Sequence, residues 1–573
     1  MQGIIYVLAL FVAGASIASD AARPNVLFLV VDDLRPKLNC YGETNMVTPN
    51  LDNLAINSVL FERAYVQQAV CSPSRTSFLT GRRPDTTRIF DLKTYFRRLA
   101  GNFTTLPQHF KNNGYITWSI GKIFHPGKAA SGKDDNAYSW TYPAYHAPTE
   151  SNRLEHVCRG SDGQLASNAR CPVNLDDVKG QSLPDIQNTD MAITFLQNRS
   201  LDQQPFFLGL GYHKPHLPFK FPEEFLKLYP MSNIHMAPNP YYPPWLPPVA
   251  YAPWDELRGY HDIRLLNLSF PFQSIPNDYQ LLLRQAYSSA ASYTDHNVGR
   301  VLQALDQYGL ANNTIITFHG DHGWQLGEHD IWTKMTNFDI ATRIPMLVHV
   351  PGVTSKPSTP RGQTFPFYDA LTSTKTANGV QSPCVTPMCS DEQGPSASYR
   401  TTDALVEAVD LYATLCELTG IEIPSTCPPD NLNIPLCTEG FSLVPVIRHV
   451  TKDKDDVISG KDFAWKTAAF SQYPRPSDVI QKDSDGPELK NIRIMGYTMK
   501  TATHRYTEWV AYDPVTFTHN MSHVYARELY DHTNDLEENL NIVDQVAFKG
   551  LVEELAQQLR GGWRKALPEG YWG

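Results

Sequence analysis

Val26-Leu27-Phe28-Leu29-Val30-Val31-Asp32-Asp33 is an apolar run halted by two carboxylates. A run of this length reads as a strand buried on both faces of a parallel or mixed sheet. Working outward, residues 115–120, 205–209 and 315–318 repeat the pattern, and 345–350 is a fifth. Helical patterns lie between them, as at 48–58, 106–113 and 279–308. The alternation predicts an α/β sheet covered by helices on both faces. The first four runs end in chemically capable residues: Asp32-Asp33, Gly121-Lys122, Tyr212-His213 and Gly320-Asp321-His322. In open α/β sheets the ligand crevice lies beyond the carboxyl ends of the strands. These clusters, far apart in sequence, are therefore expected to converge on one site.

The rest of the chain sets limits on that site. Its 573 residues suffice for two or more domains. The net charge of −10 and pI of about 6.0 argue against a surface built to coat nucleic acid. Any positive charge for an anionic ligand must then be local. Residues 1–22, MQGIIYVLALFVAGASIASDAA, read as a secretory signal peptide: an apolar stretch, then small residues with cleavage between Ser19 and Ala22. No other stretch approaches the roughly 20 apolar residues of a membrane span. The expectation is a protein of the secretory pathway, lysosomal or extracellular, without a membrane span. N-glycosylation sequons stand at Asn102, Asn198, Asn267, Asn312 and Asn520.

Nine cysteines in an oxidising compartment leave at least one unpaired. Cys158 with Cys171, Cys384 with Cys389 and Cys427 with Cys437 are local pairs able to close short loops. Cys416 sits at helical spacing with Leu405, Val409 and Tyr412, the setting of a buried free thiol. Cys71 is the one that stands apart. Residues 355–398, rich in Thr, Ser, Pro and Gly, read as a surface insertion. Beyond a mixed linker at about 427–462, residues 464–473, 492–501 and 506–512 look like strands of a smaller antiparallel unit, closed by a helix at about 543–560. The expected organisation is a signal peptide (1–22), a catalytic domain (23–445) and a smaller C-terminal unit (446–573).

The chemistry concentrates in three places. Adjacent buried carboxylates such as Asp32-Asp33 repel each other unless a cation or hydrogen bonds neutralise them; a helix N-cap is the plainer reading. Asp321-His322 supplies a second pair of ligand-type residues. The third place is Cys71-Ser72-Pro73-Ser74-Arg75-Thr76-Ser77-Phe78-Leu79-Thr80-Gly81-Arg82, followed by Gly114-Tyr115-Ile116-Thr117-Trp118-Ser119-Ile120-Gly121-Lys122-Ile123-Phe124-His125.

These last two runs resemble the signatures of the type I, formylglycine-dependent sulfatases of the alkaline-phosphatase superfamily. The resemblance implies an alkaline-phosphatase-like sandwich, with a large, mainly parallel sheet between helices and a smaller C-terminal subdomain containing an antiparallel sheet. It implies that a formylglycine-generating enzyme oxidises Cys71 to formylglycine, whose hydrate attacks sulfur with one hydroxyl and later uses the second to expel sulfate. It assigns Arg75 to orienting that residue, Lys122 to a sulfate oxygen and His125 to a proton of the hydrate. His216 would protonate the leaving alcohol, and Lys334 would bridge sulfate and leaving group. One Ca²⁺ would be held by Asp32, Asp33, Cys71, Asp321 and His322, an oxygen-rich set; many members of the family have Asn where His322 stands. Such a site, built on Lys and His, would bind sulfate better with His125 and His216 protonated, which suits an acidic compartment.

Four further stretches narrow the likeness to the branch acting on 2-sulfated iduronate. They are Gly81–Arg88, Gly211-Tyr212-His213-Lys214-Pro215-His216, Gly320–His329 and Arg527-Glu528-Leu529-Tyr530-Asp531. The implied substrate is the terminal iduronate 2-O-sulfate of heparan and dermatan sulfate. Trp324, Arg88 and His213 are then the candidates to shape the sugar pocket. The competing readings are an exo-sulfatase for another sugar or small ester, a phosphodiesterase of the superfamily, and a catalytically silent glycan-binding glycoprotein.

Overall fold

The computed structural model describes residues 23–160, 162–202, 204–355, 363–372, 399–431, 433–452 and 464–568. Residues 1–22, expected to be a signal peptide, and most of 355–398, expected to be a surface insertion, lie outside the described residues, and so do Cys384 and Cys389, the pair expected to close a loop there.

The first apolar run is β1 (Asn25–Val31), the axis of a large mixed sheet. The other strands are β2 (Val59–Tyr65), β3 (Ile116–Gly121), β4 (Phe206–Tyr212), β5 (Thr314–Gly320), β6 (Arg343–His349), β7 (Arg400–Thr402) and the short β8 (Val406–Glu407). Their order is β7-β2-β6-β5-β1-β4-β3, with β8 also on β2. The neighbours β5, β1, β4 and β3 run parallel, whereas β6 is antiparallel to both β5 and β2. Val31 lies in register with both Tyr212 and Gly320, and Gly121 with Gly211. The four polar strand ends are therefore level with one another. The ladder continues one step past them: Asp321 N donates to Val31 O at 3.0 Å, Asp32 N to Tyr212 O at 3.1 Å, and Lys122 N to Gly211 O at 3.0 Å. That last approach requires glycine. A Cβ on Gly211 would meet Lys122 O at 2.0 Å, and Gly121 has φ +68°.

β1 is buried throughout because its two faces feed different cores. Val26, Phe28 and Val30 pack with Phe78 of α2 (Cys71–Thr80) and with Leu411 and Leu415. Leu27, Leu29 and Val31 pack with α1 (Pro49–Ile56), α4 (Pro184–Arg199) and the long α5 (Asn277–Gln307), α3 being Leu106–Asn112. The helix expected around Cys416 is α6 (Leu411–Thr419), and that thiol is buried and free.

The C-terminal region forms a separate antiparallel sheet of β9 (Ala468–Arg475), β10 (Ile494–Thr501), β11 (His504–Asp513) and β12 (Thr518–Asp531). β2 and β12 carry no signal in the apolar pattern; no residue of β12 before Glu528 is buried, so nothing selects an alternating apolar face there. The closing helix α7 spans Lys549–Lys565, starting later than expected, and buries Leu555 and Leu559 against Met499, Tyr506 and Leu529. The small sheet abuts the approach to Cys71: Gln472 N donates to Gln67 O at 2.8 Å and Ser471 Oγ to Val66 O at 2.6 Å.

Two of the three expected disulfides are formed among the described residues: Cys158 is bonded to Cys171, and Cys427 to Cys437. The third expected bridge, between Cys384 and Cys389, differs from these in falling on residues that the structure does not describe. Cys40, Cys71 and Cys416 are buried thiols. All five sequon asparagines are exposed. Among the described residues no helix is long and apolar enough to cross a membrane.

Candidate active site

Cys71 opens α2, a helix whose ten residues are all buried, so the thiol sits at the positive end of a helix dipole. Its Sγ lies 3.4 Å from Asp32 Oδ1 and 3.4 Å from His322 Nε2, and accepts from Lys122 Nζ at 3.6 Å. One turn on, Arg75 is wholly buried and ties the strand ends together. Its Nε donates to Asp321 Oδ2 at 2.9 Å and its second terminal nitrogen to Asp32 Oδ1 at 3.2 Å; the first donates to the carbonyls of Lys122 and Ile123. Ser74 Oγ donates to the Asp321 carbonyl. The spacing of Ser74 and Arg75 after Cys71 thus has a local reason: both lock the helix onto the sheet edge.

Two lysines flank the paired carboxylates. Lys122 Nζ donates to Asp32 Oδ2 at 2.5 Å, and Lys334 Nζ to the two oxygens of Asp33 at 2.9 and 3.2 Å. Asp33 takes a left-handed backbone, φ +59°, and its N–H donates to Asp321 Oδ1 at 3.1 Å. Burial pushes Asp33 up to about 8 and Asp321 up to about 7, the nearby lysine and arginine offsetting only part of the cost. Asp32 is also buried, but Lys122, His216 and Arg75 override that cost and hold it well below the usual carboxylate range.

This donor set fits a divalent cation. Asp32, Cys71, Asp321 and His322 present ligand atoms within 4.8 Å of one another, as do Asp32, Asp33, Cys71 and His216, and all are buried. His322 Nδ1 donates to the Gly323 carbonyl at 3.0 Å, so the neutral ring turns its Nε2 lone pair inward. Burial and Lys334 keep that ring neutral. Three carboxylates against Arg75, Lys122 and Lys334 make the cluster neutral without a metal; a hard dication would relieve the raised acids and leave the surplus positive charge an anion needs.

A cavity of about 450 Å³ opens onto this cluster, with Asp32, Cys71, Lys122, His125, His216 and Lys334 at its floor. His216 Nε2 is 3.9 Å from carboxylate oxygens of both Asp32 and Asp33. His125 Nδ1 is buried without a partner among the described residues. Burial, reinforced by Lys122 for His125 and Lys334 for His216, holds both rings well below the ordinary histidine range. Both rings are thus neutral near pH 7 when no anion lies beside them. Lys214 on the wall, pushed down by burial to about 7, gains charge as the pH falls.

His213 lines the wall in a chain of acids and imidazoles. Asp134 and Glu150 flank His146 at 2.8 and 2.9 Å, and Glu150 and Asp185 flank His213 at 3.2 and 3.0 Å. Trp324 and Arg88 do not line the cavity. Trp324 is buried beneath Lys334, whose Nζ sits 4.9 Å over its ring, and Arg88 packs on Phe517. Cations that sequence reasoning did not find stand on the wall instead: Arg153, Lys179 and Lys220. They come from a loop-like region and a short strand edge with no periodic signal; only the Cys158/Cys171 pair hinted that this region is fixed.

Comparison with known proteins agrees with this geometry. The sulfatase family model matches residues 24–421. The chain is 47% identical to human iduronate 2-sulfatase over 506 residues, 88% of each chain, and 45% identical to the mouse protein over 94% of each. Among solved structures it resembles a phosphonate monoester hydrolase from Silicibacter pomeroyi (TM-score 0.66, 20% identity, 96% of each chain). It also resembles a 2-O GAG sulfatase (TM-score 0.57, 18% identity, 95% of this chain and 92% of that one). At such identities these two speak to the fold alone.

Proposed function

The chain belongs to the sulfatase family, hydrolases of sulfate esters that use a formylglycine and a divalent metal, and from that premise we propose that it removes the 2-O-sulfate from terminal iduronate of heparan and dermatan sulfate. The observation that carries the chemistry is Cys71 at the cavity floor, between Lys122 and Lys334 and beside three carboxylates. The near-identity of length and the shared residues with two iduronate 2-sulfatases carry the substrate.

In this reading a formylglycine-generating enzyme oxidises Cys71 during passage through the secretory pathway, and the protein works in lysosomes or outside the cell. The carboxylates of Asp32, Asp33 and Asp321, with His322 Nε2 and the oxidised residue 71, hold one Ca²⁺. When bound, that ion polarises the sulfate and favours the attacking oxygen. Lys122 and Lys334 neutralise sulfate oxygens from opposite sides. His125, neutral and with Nδ1 unpartnered, accepts a proton from the hydrated residue 71. His216 donates Nδ1–H to the Leu217 carbonyl at 2.6 Å, leaving Nε2 toward the cavity. An anionic ester beside it raises its proton affinity, so the proton for the leaving alcohol arrives with the substrate. In this reading Arg153 and Lys220, which line the cavity wall, meet the uronate carboxylate, and Arg88 does not.

Sulfate release from defined sugars tests the substrate. A disaccharide with terminal 2-sulfated iduronate should be turned over far faster than 6-sulfated glucosamine or an aryl sulfate. Activity confined to the last two would replace the iduronate reading by another exo-sulfatase specificity.

A further inference from the structure

We propose that a basic groove beside the cavity mouth binds the anionic groups of the glycan chain behind the terminal sugar, an inference that rests on the glycosaminoglycan reading above. Two loops connect the sites. Leu92 lines the cavity while Lys93, Thr94 and Tyr95 line the groove. Likewise His125 and Pro126 face the cavity while Gly127 and Lys128 face the groove. The loop that carries Lys122 and His125 thus runs on directly into the groove, with Leu92 and Pro126 on the cavity side of the boundary and their chain neighbours Lys93 and Gly127 on the groove side.

The groove encloses about 620 Å³, and its charged lining is Lys93, Arg98 and Lys128, with no carboxylate. All three cations are exposed. Arg98 and Lys128 have no ion pair among the described residues, and Lys93 has only a solvent-exposed contact with Glu488 at 3.8 Å, an acid that Lys490 holds more closely at 3.2 Å. The nearby acids are engaged elsewhere. Asp91 accepts from Thr94 and two backbone N–H groups, Asp134 holds His146, and Asp135 is taken by Tyr95, Arg97 and Ser139. The contrast is with a second cavity of about 410 Å³, four of whose cations are matched by acids of its own lining: Arg35 and Arg284 by Glu328, Lys37 by Glu43, and Arg343 by Asp339. Unmatched positive charge next to the reaction cavity, on a chain of net charge −10, fits a polyanion that must leave the cavity at its rim. A terminal sugar fills the cavity; the sulfates and carboxylates of the following sugars meet Lys93, Arg98 and Lys128.

The test is the triple variant Lys93→Ser/Arg98→Ser/Lys128→Ser, none of whose positions touches the reacting groups. Against a sulfated tetrasaccharide ending in 2-sulfated iduronate, kcat/KM should fall roughly tenfold through KM, as expected for the loss of three exposed charge contacts. Against a fluorogenic iduronate 2-sulfate monosaccharide it should stay within about twofold, and the salt dependence of the tetrasaccharide reaction should flatten. Equal effects on both substrates, or none on the tetrasaccharide, would overturn the proposal. Should the wild type hydrolyse neither substrate, the substrate reading itself fails. The groove is then judged by elution from immobilised heparan sulfate: earlier elution of the variant supports it, and co-elution rejects it.

Discussion

Arg75 does more for the site than any residue except Cys71, because it neutralises Asp32 and Asp321 while gripping the Lys122 loop. Arg75→Met would leave Asp321 buried without its cationic partner and Asp32 with Lys122 alone. Breaking such pairs costs about 3–5 kcal/mol, so the variant should melt well below the wild type in calorimetry and show no sulfatase activity. The metal has its own test. EGTA should abolish sulfate release, Ca²⁺ should restore it, and Ca²⁺ should raise the melting temperature of wild type but not of Asp33→Asn. At this scale much of the site was legible in sequence, since Asp32, Asp33, Lys122, Asp321 and His322 each directly follow a strand that begins as an apolar run or lie one residue beyond it. Arg153 and Lys220 were not, because a loop gives its side chains no period from which a direction can be read. Trp324 and Arg88 were misleading for a related reason: sequence shows that a large residue is near a motif, but not that Lys334 and Phe517 cover it.

Among the elements, the cavity wall depends on the Asp134–His146–Glu150–His213–Asp185 chain. Hydrogen bonds to Asp134 and Glu150 push His146 up to about 10; His213, despite burial, is pushed up to about 9 by Asp185 and Glu150. An unfolded histidine titrates near about 6.5. A raised folded value means the stabilisation is complete below about 6.5 and disappears as pH rises through about 9 to 10. Thermal melts should therefore show wild type losing stability between about pH 7 and about 10, and Glu150→Gln losing less over the same interval. Equal losses would remove the chain from the account of the wall. The parallel strands of the main sheet stood out as continuous apolar runs, because both of their faces are buried. β2, whose apolar residues are interrupted by Glu62 and Arg63, and β12, with no buried residue before Glu528, lacked that continuous pattern. Short cysteine spacing was a usable signal for Cys158 with Cys171 and for Cys427 with Cys437, each bridging one loop. The same reading of Cys384 with Cys389 concerns a stretch outside the described residues.

Over the whole molecule, the C-terminal sheet helps to place Lys334. Arg475, buried at the end of β9, donates to the carbonyls of Met335 (2.9 Å), Val249 (2.9 Å) and Ser484 (3.0 Å), and Asn337 Nδ2 donates to Gly496 O at 3.0 Å. Arg475→Met leaves several buried carbonyls unpaired at roughly 1–3 kcal/mol each. It should lower both the melting temperature and kcat, although no atom of Arg475 lines the cavity. Unchanged kcat in a folded variant would separate the small sheet from catalysis. The sequence showed a second unit but not this dependence, which rests on contacts between segments far apart in the chain.

All of these arrangements converge on one atom of residue 71, and its chemical state is the most direct measurement. Peptide mass analysis of protein from a eukaryotic secretory host, with an aldehyde-reactive probe alongside, should find formylglycine at position 71, lighter than cysteine and labelled by the probe. An intact, unlabelled thiol at position 71 in protein that releases sulfate would contradict the mechanism.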